Sequence, residues 1–172
     1  EQSRSRTAGT PAAAACAVAA GFDLEQIQRG LASMQPVPGR LCMHAGRWRV
    51  IDDSYNANPD SVAAAIEVLA CAPGRRFLVL GELAELGPGT DAFYRGIGEQ
   101  AKTAGIDSLY ALGRAGLAAE SFGPGGRRFE HLQRLIDDLH AELDAGDRVL
   151  VKGSRSAAME RVIEAFVVPE DN

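Results

Sequence analysis

The sequence predicts an α/β fold, a doubly wound and mostly parallel sheet preceded by two helices. Three observations predict it. From Arg40 onward, short apolar runs alternate with segments of helical periodicity. Runs such as Phe77–Leu80 are apolar on both faces, as strands covered from both sides must be. Polar or glycine-rich stretches follow several of them, at the end where open α/β sheets bind ligands.

The elements follow in order. Thr10-Pro11 reads as a cap and first-turn proline ahead of an alanine-rich helix, Ala12–Ala20, which Gly21 ends. Asp23 and Gln26 form a capping box for a second helix, with Leu24, Ile27 and Leu31 on one face. Pro36 and Pro38 stop it and divide the chain into residues 1–37 and 38–172. Leu41–His44 and Arg47–Ile51 predict a hairpin around Ala45-Gly46. Asn58 caps the next helix, Pro59–Cys71, where Pro59 suits the first turn, Asp60 the positive helix end, and Val62, Ile66 and Leu69 one face. Strand Phe77–Leu80 precedes helix Asp91–Ala104, with Phe93, Ile97 and Ala101 in line. Strand Ser108–Leu112, a short helix Ala115–Ser121, the glycine-rich loop Gly123–Gly126 and a short strand Arg127–Phe129 come next. Helix His131–Leu143 aligns Leu132, Leu135, Ile136, Leu139 and Leu143. Strand Asp147–Val151 leads to a last helix, Ser156–Phe166, with Met159, Val162, Ile163 and Phe166 on one side, and Pro169–Asn172 is a loose tail.

Composition narrows the function. A chain of 172 residues that is 46% hydrophobic can bury a real core. Its net charge of -5 argues against a general binder of nucleic acid or anionic membrane. No apolar run approaches the ~18 residues of a membrane span. No apolar signal region follows Glu1–Arg6, so a cytoplasmic protein is expected. Cys16, Cys42 and Cys71 lie far apart among apolar neighbours and are expected to be buried thiols. With no C-x-x-C or Cys/His pair, and with His44, His131 and His140 scattered, no metal site is expected.

The chemistry concentrates in two loops. Strand Arg49–Ile51 runs into DDSYNANPDS (Asp52–Ser61), which presents Asp52, Asp53, Asn56 and Asn58 at a helix N-terminus, where amide hydrogens can receive anions. The same residues also suit a well-capped helix after a turn. Near the end, the strand up to Val151 leads into Lys152-Gly153-Ser154-Arg155. Glycine admits a ligand close to the backbone, lysine offers a point charge, and arginine a two-pronged grip on carboxylate or phosphate. A glycine-assisted turn with two solvated cations fits as well. Neither loop is a Walker loop, because the G-x-x-x-x-G-K-[ST] order is absent. Gly81–Gly87 lacks dinucleotide-fingerprint spacing, and its Glu82 and Glu85 suit either a pocket or a solvated loop.

Four strings, VPGRL (Val37–Leu41), DDSYNANPDS, LGELAELG (Leu80–Gly87) and VKGSRSAAME (Val151–Glu160), closely resemble the Mur ligase family. Its nearest branch adds D-alanyl-D-alanine to UDP-N-acetylmuramoyl-tripeptide in peptidoglycan synthesis. The resemblance runs from about Ala12 to Val167. It implies a whole Rossmann-like third domain preceded by the last helices of a central ATPase domain. It implies ATP-driven peptide-bond formation through an acyl phosphate, with Mg²⁺ and the phosphate loop held by the central domain and no catalytic residue on this chain. By resemblance, Asp53 is the acceptor of ribose hydroxyls, Asn56 and Asn58 lie near the nucleotide, and Arg40 lies close to ATP. Lys152, Gly153, Ser154 and Arg155 align with the loop facing the acceptor, and Arg155 is matched to the dipeptide carboxylate. Where the family has a His-Asn pair and a further Asn before the alanine-rich helix, this chain has Ser5, Arg6 and Gly9. A standalone nucleotide- or ligand-binding module without catalysis would keep the same fold and Asp53. A response-regulator receiver would need an aspartate at the end of the middle strand, which here ends Ala111-Leu112-Gly113-Arg114.

Overall fold

A computed structural model of the chain describes residues 9–33, 37–84 and 86–167, with the side chains of 9–13, 31 and 32 excepted. Ser5, Arg6, Pro36, Glu85 and the tail Pro169–Asn172 lie outside the described residues, as does the side chain of Leu31. The chain divides into two compact units, residues 1–37 and 38–172.

The first unit is a pair of helices, α1 (Gly9–Ala19) and α2 (Leu24–Ser33). α1 begins ahead of the expected cap, so Thr10 and Pro11 fall within its first turn, where a missing N–H breaks no helical bond. Gly21 takes φ +86°, a conformation that costs glycine nothing. The Asp23–Gln26 capping box forms in both directions: the Asp23 N–H donates to Gln26 Oε1 at 3.0 Å, and the Gln26 N–H to Asp23 Oδ1 at 2.7 Å.

The second unit carries the sheet. Its strands are β1 (Cys42–Ala45), β2 (Arg49–Asp53), β3 (Arg76–Leu80), β4 (Ser108–Leu112), β5 (Gly126–Phe129) and β6 (Arg148–Lys152), in the order β1-β2-β6-β3-β4-β5. β1 and β2 form the expected antiparallel hairpin, and every other pairing is parallel. Helices α3 (Pro59–Ala70), α4 (Thr90–Thr103) and α5 (Gly116–Phe122) bury Val62, Ile66, Leu69, Ile97, Ala101 and Phe122 in one core with the sheet. Helices α6 (Leu132–Glu142) and α7 (Glu160–Phe166) bury Leu135, Leu139, Val162, Ile163 and Phe166 in a second core. A sheet with an apolar layer on each side explains why its strands read as continuous apolar runs.

The last strand decides where the site lies. β6 enters between β2 and β3, the two strands that α3 connects. The chain leaves β2 and β3 toward the first core and leaves β6 toward the second. Crevices at such points of reversal are where open α/β sheets bind ligands. The parallel register aligns Asp53 and Leu80 with Lys152, so three strand ends finish level.

Three expectations need correction. β2 extends through Asp53, so Asp52 and Asp53 lie in a strand, not a loop, and point to opposite sides. The expected helix from Ser156 is instead a 3₁₀ turn, Arg155–Ala157, followed by Ala158 in the left-handed region at φ +49° and only then α7. The break lets Met159 drop into the core, where it is fully buried. In α4, Phe93, Ile97 and Ala101 face the first core as expected, and Tyr94 is buried as well, its hydroxyl accepting the Leu83 N–H at 2.8 Å. Cys42 is buried, but Cys16 and Cys71 are exposed. Cys71 sits at the open end of α3. Among the described residues, no helix is long and apolar enough to cross a membrane.

Candidate functional site

The DDSYNANPDS string builds the centre of the site. Asp52, buried, turns toward the segment before β1. Its Oδ2 accepts the Gly39 N–H at 3.1 Å, and its Oδ1 accepts the Ser54 N–H at 3.1 Å and hydroxyl at 2.6 Å. The Tyr55 N–H donates to the Gly39 carbonyl at 3.0 Å. Gly39 has φ +75°, and a Cβ there would lie 2.9 Å from the Tyr55 nitrogen, so only glycine fits this approach. The Pro-Gly-Arg turn is thereby locked onto the end of β2. It places the Arg40 guanidinium 4.5 Å from the centroid of the half-exposed Tyr55 ring.

Asp53 turns the other way. Its Oδ2 accepts a 2.6 Å hydrogen bond from Lys152 Nζ, which also donates to the Asn56 carbonyl at 3.0 Å. Burial pushes the Asp53 carboxyl above its ordinary value. The Lys152 hydrogen bond and charge, and a hydrogen bond from the Leu41 backbone, pull the other way without offsetting it.

Asn56, Ala57, Asn58 and Pro59, with Ala84 and Leu86 from the β3–α4 loop, line a cleft of about 280 Å³. Asn58 caps α3 with φ -133°: its Oδ1 accepts the Ser61 N–H at 2.8 Å, and its own N–H donates to Ser61 Oγ at 3.0 Å. Asn56 Oδ1 accepts the Ala57 N–H at 2.9 Å. The amide oxygen of each asparagine thus accepts one local hydrogen bond, and their NH₂ groups remain as donors for a ligand.

The second string ends β6. Gly153 lies against Gly81 and Met159: a Cβ on it would fall 2.6 Å from Met159 Cγ and 3.2 Å from Gly81 Cα. Ser154, buried, donates its N–H to the Glu82 carbonyl at 2.8 Å, and its Oγ lies 3.0 Å from that of Ser156. Arg155 projects outward with 69% of its side chain exposed, 3.7 Å from Glu160 and 5.9 Å from the Tyr55 ring centroid. Glu82 fastens the next loop, accepting the Arg114 N–H at 2.8 Å.

The fold therefore gathers the two strings at one crevice. Arg40 and Arg155 meet at the ring of Tyr55, and Asp53 meets Lys152. Asn56 and Asn58 line the adjoining cleft. Exposed guanidiniums can receive phosphate or carboxylate oxygens in two-pronged fashion. Lys152 is no solvated cation, since 2% of its side chain is exposed. Tyr55 escaped the sequence reading. Its signal was an aromatic residue inside an otherwise polar strand-end string, which has no structural partner of its own in the local pattern. Among the described residues, no group of three or more His, Cys, Asp or Glu lies close enough together to hold a metal ion.

Residues 39–155, from the locked glycine to the exposed arginine, match the family described as Mur ligase, glutamate ligase domain. The chain belongs to the Mur ligase family. This Mur ligase chain is 42% identical over 167 residues to the UDP-N-acetylmuramoyl-tripeptide–D-alanyl-D-alanine ligase of Escherichia coli K12, covering 95% of this chain and 37% of that protein. It superposes on MurF from Acinetobacter baumannii with a TM-score of 0.79 and 32% identity, over 92% of this chain and 36% of that one. It superposes on MurF ligase from Thermotoga maritima in complex with ADP with a TM-score of 0.72 and 28% identity, over 88% of this chain and 35% of that one. The Mur ligase chain thus spans a little over a third of the length of these relatives.

Proposed function

We propose that this chain is the C-terminal domain of an ATP-dependent ligase that joins D-alanyl-D-alanine to UDP-N-acetylmuramoyl-tripeptide in the cytoplasm. Residues 1–37 are then the last helices of a central ATPase domain, and residues 38–172 close over the nucleotide. The observation that carries this reading is the meeting of Arg40 and Arg155 at Tyr55, in the crevice where the strand connections reverse.

The chemistry follows from the reactants. The terminal carboxylate of the tripeptide attacks the γ-phosphorus of ATP, the bond to the β-γ bridging oxygen breaks, and ADP leaves an acyl phosphate. The free amine of D-alanyl-D-alanine attacks the acyl carbon, loses a proton and expels phosphate as the peptide bond forms. When bound, Mg²⁺ supplies charge neutralisation on the phosphates, from acids of the central domain. What this domain contributes is positioning and charge. Asp53 accepts ribose hydroxyls, the Asn56 and Asn58 side chains offer donors at the cleft, and Arg40 faces the phosphates. Arg155 takes the dipeptide carboxylate, and the tight Gly153 turn with the anchored Ser154 backbone sets its direction.

The test joins this chain to the rest of a ligase. The chain replaces the matching segment of the Escherichia coli relative, and ADP formation is measured with and without each substrate. The hybrid should release ADP only when UDP-N-acetylmuramoyl-tripeptide and D-alanyl-D-alanine are both present, and the chain alone should form none. A well-folded but inactive hybrid, or ADP formation by the chain alone, overturns the reading.

A further inference from the structure

Lys152 belongs by position to the strand-end loop assigned above to the acceptor, yet its side chain lies elsewhere. It is 2% exposed, against 69% for Arg155 three residues on. Its Nζ is 2.6 Å from Asp53 Oδ2 and 3.0 Å from the Asn56 carbonyl, both in the string that leads into α3. The parallel ladder pairs Lys152 with Asp53 directly, so the contact follows from strand register and not from a chance rotamer. An ammonium in such a place is tolerated because an anion is beside it. An incoming carboxylate finds no open face of the ammonium: 2% of the side chain is exposed, and two of its three donors are already taken by Asp53 and the Asn56 carbonyl.

We infer that Lys152 is a positioning residue for the nucleotide, holding the Asp53 carboxylate and the Asn56 backbone in place, and that it makes no contact with the acceptor. This rests on the function proposed above. Two features make Asp53 dependent on it. Burial disfavours the Asp53 charge, and two hydroxyls of a ribose are best received by a carboxylate that is ionised and fixed in direction. The bond to the Asn56 carbonyl fixes the lip of the cleft by the same ammonium. Residues of both strings thus act as one unit on one substrate, while Arg155 serves the other.

The experiment uses the hybrid ligase, with ATP and D-alanyl-D-alanine varied separately. Lys152→Met should raise the KM for ATP at least about tenfold, the scale of one charge-assisted hydrogen bond, and leave the KM for D-alanyl-D-alanine within about twofold. Because this variant strands a buried carboxylate, Asp53→Asn and Lys152→Met/Asp53→Asn are measured beside it; the double variant removes both charges at nearly constant volume, should fold, and should raise the KM for ATP little further than Asp53→Asn alone, since Lys152 acts through Asp53. A rise in the dipeptide KM as large as that in the ATP KM, or unchanged KM values with a lower melting temperature, overturns the inference. Hydrogen exchange on the unmodified and doubly substituted chain reads the same geometry without ligation. The amides of residues 54–58 should exchange faster in the double variant, while those of residues 113–115 stay unchanged. Equal exchange at 54–58 overturns the inference even if the hybrid forms no product, an outcome that by itself would sink only the proposed function.

Discussion

Met159 lies across the backbone of Gly81: a Cβ at position 81 would fall 2.6 Å from both Cγ and Sδ of Met159 and 3.0 Å from the Ala157 Cβ. Met159 is itself fully buried, so it can give way only by repacking against its neighbours in the second core. Gly81→Ala should therefore cost about 1–3 kcal/mol by overpacking. Differential scanning calorimetry of the chain should show a melting temperature lower by several degrees. An unchanged midpoint would mean that the β3 and β6 ends are not in contact through Met159.

Two glycines two positions apart in α4 should respond with opposite sign. Gly96 is exposed, with nothing within 4 Å of the place where a Cβ would be added. Gly98 is buried, and a Cβ there would run into the Ala118 carbonyl and Ser121 Oγ of α5. Gly96→Ala should stabilise the chain by about 0.5–1 kcal/mol through reduced backbone freedom of the unfolded state. Gly98→Ala should destabilise it by more than that, by forcing α4 from α5. Denaturant titration of both variants checks the pair, and like signs would refute the packing of these helices.

Asp53 should titrate above its ordinary value of 3.8, because burial outweighs Lys152 and Leu41. The folded chain then binds this proton at a higher pH than the unfolded chain does. Stability from this group accordingly falls as pH rises from 3.8 through the folded value, and is regained as pH falls back through that window. Lys152→Met removes the main opposing influence and should move the titration higher still. The carboxyl-carbon chemical shift of Asp53 against pH measures both, and a downward move in the variant would reverse the assignment.

Arg155 should matter to binding but not to folding. With 69% of its side chain exposed, its 3.7 Å pair with Glu160 adds little stability. In the hybrid ligase, Arg155→Ala should raise the KM for D-alanyl-D-alanine about tenfold or more at saturating ATP. Arg155→Lys should recover part of it, keeping the charge but losing the planar fork. If instead the KM holds and the melting temperature drops sharply, Arg155 is a structural ion-pair residue.

Much of the fold was legible in the residues themselves. The Asp23–Gln26 box, the Asn58 cap with Pro59 behind it, and the apolar faces of α3, α6 and α7 are local patterns, each complete within a few residues. Strands β3 and β4 announced themselves by being apolar on both faces, the mark of burial between two helical layers. The clustering of polar residues after β2 and β6 was equally visible, and it marked the crevice.

Local sequence thus set the kind and order of the elements, because capping, periodicity and strand propensity act between near neighbours. The tertiary structure alone decided which side chains of the two strings meet. Strand order inserts β6 between β2 and β3, and that brings Lys152 to Asp53 across 99 positions and makes its ammonium an internal partner rather than a solvated cation. The extension of β2 through Asp53 sends Asp52 to the Pro-Gly-Arg turn and Asp53 to Lys152, since neighbouring strand residues face opposite ways. The burial of Met159 against Gly81 and Gly153 breaks the last helix at Ala158, a demand of packing that local helical periodicity does not contain. Tyr55 becomes the shared ring of Arg40 and Arg155 only once the turn before β1 and the loop after β6 have closed on it from separate parts of the chain.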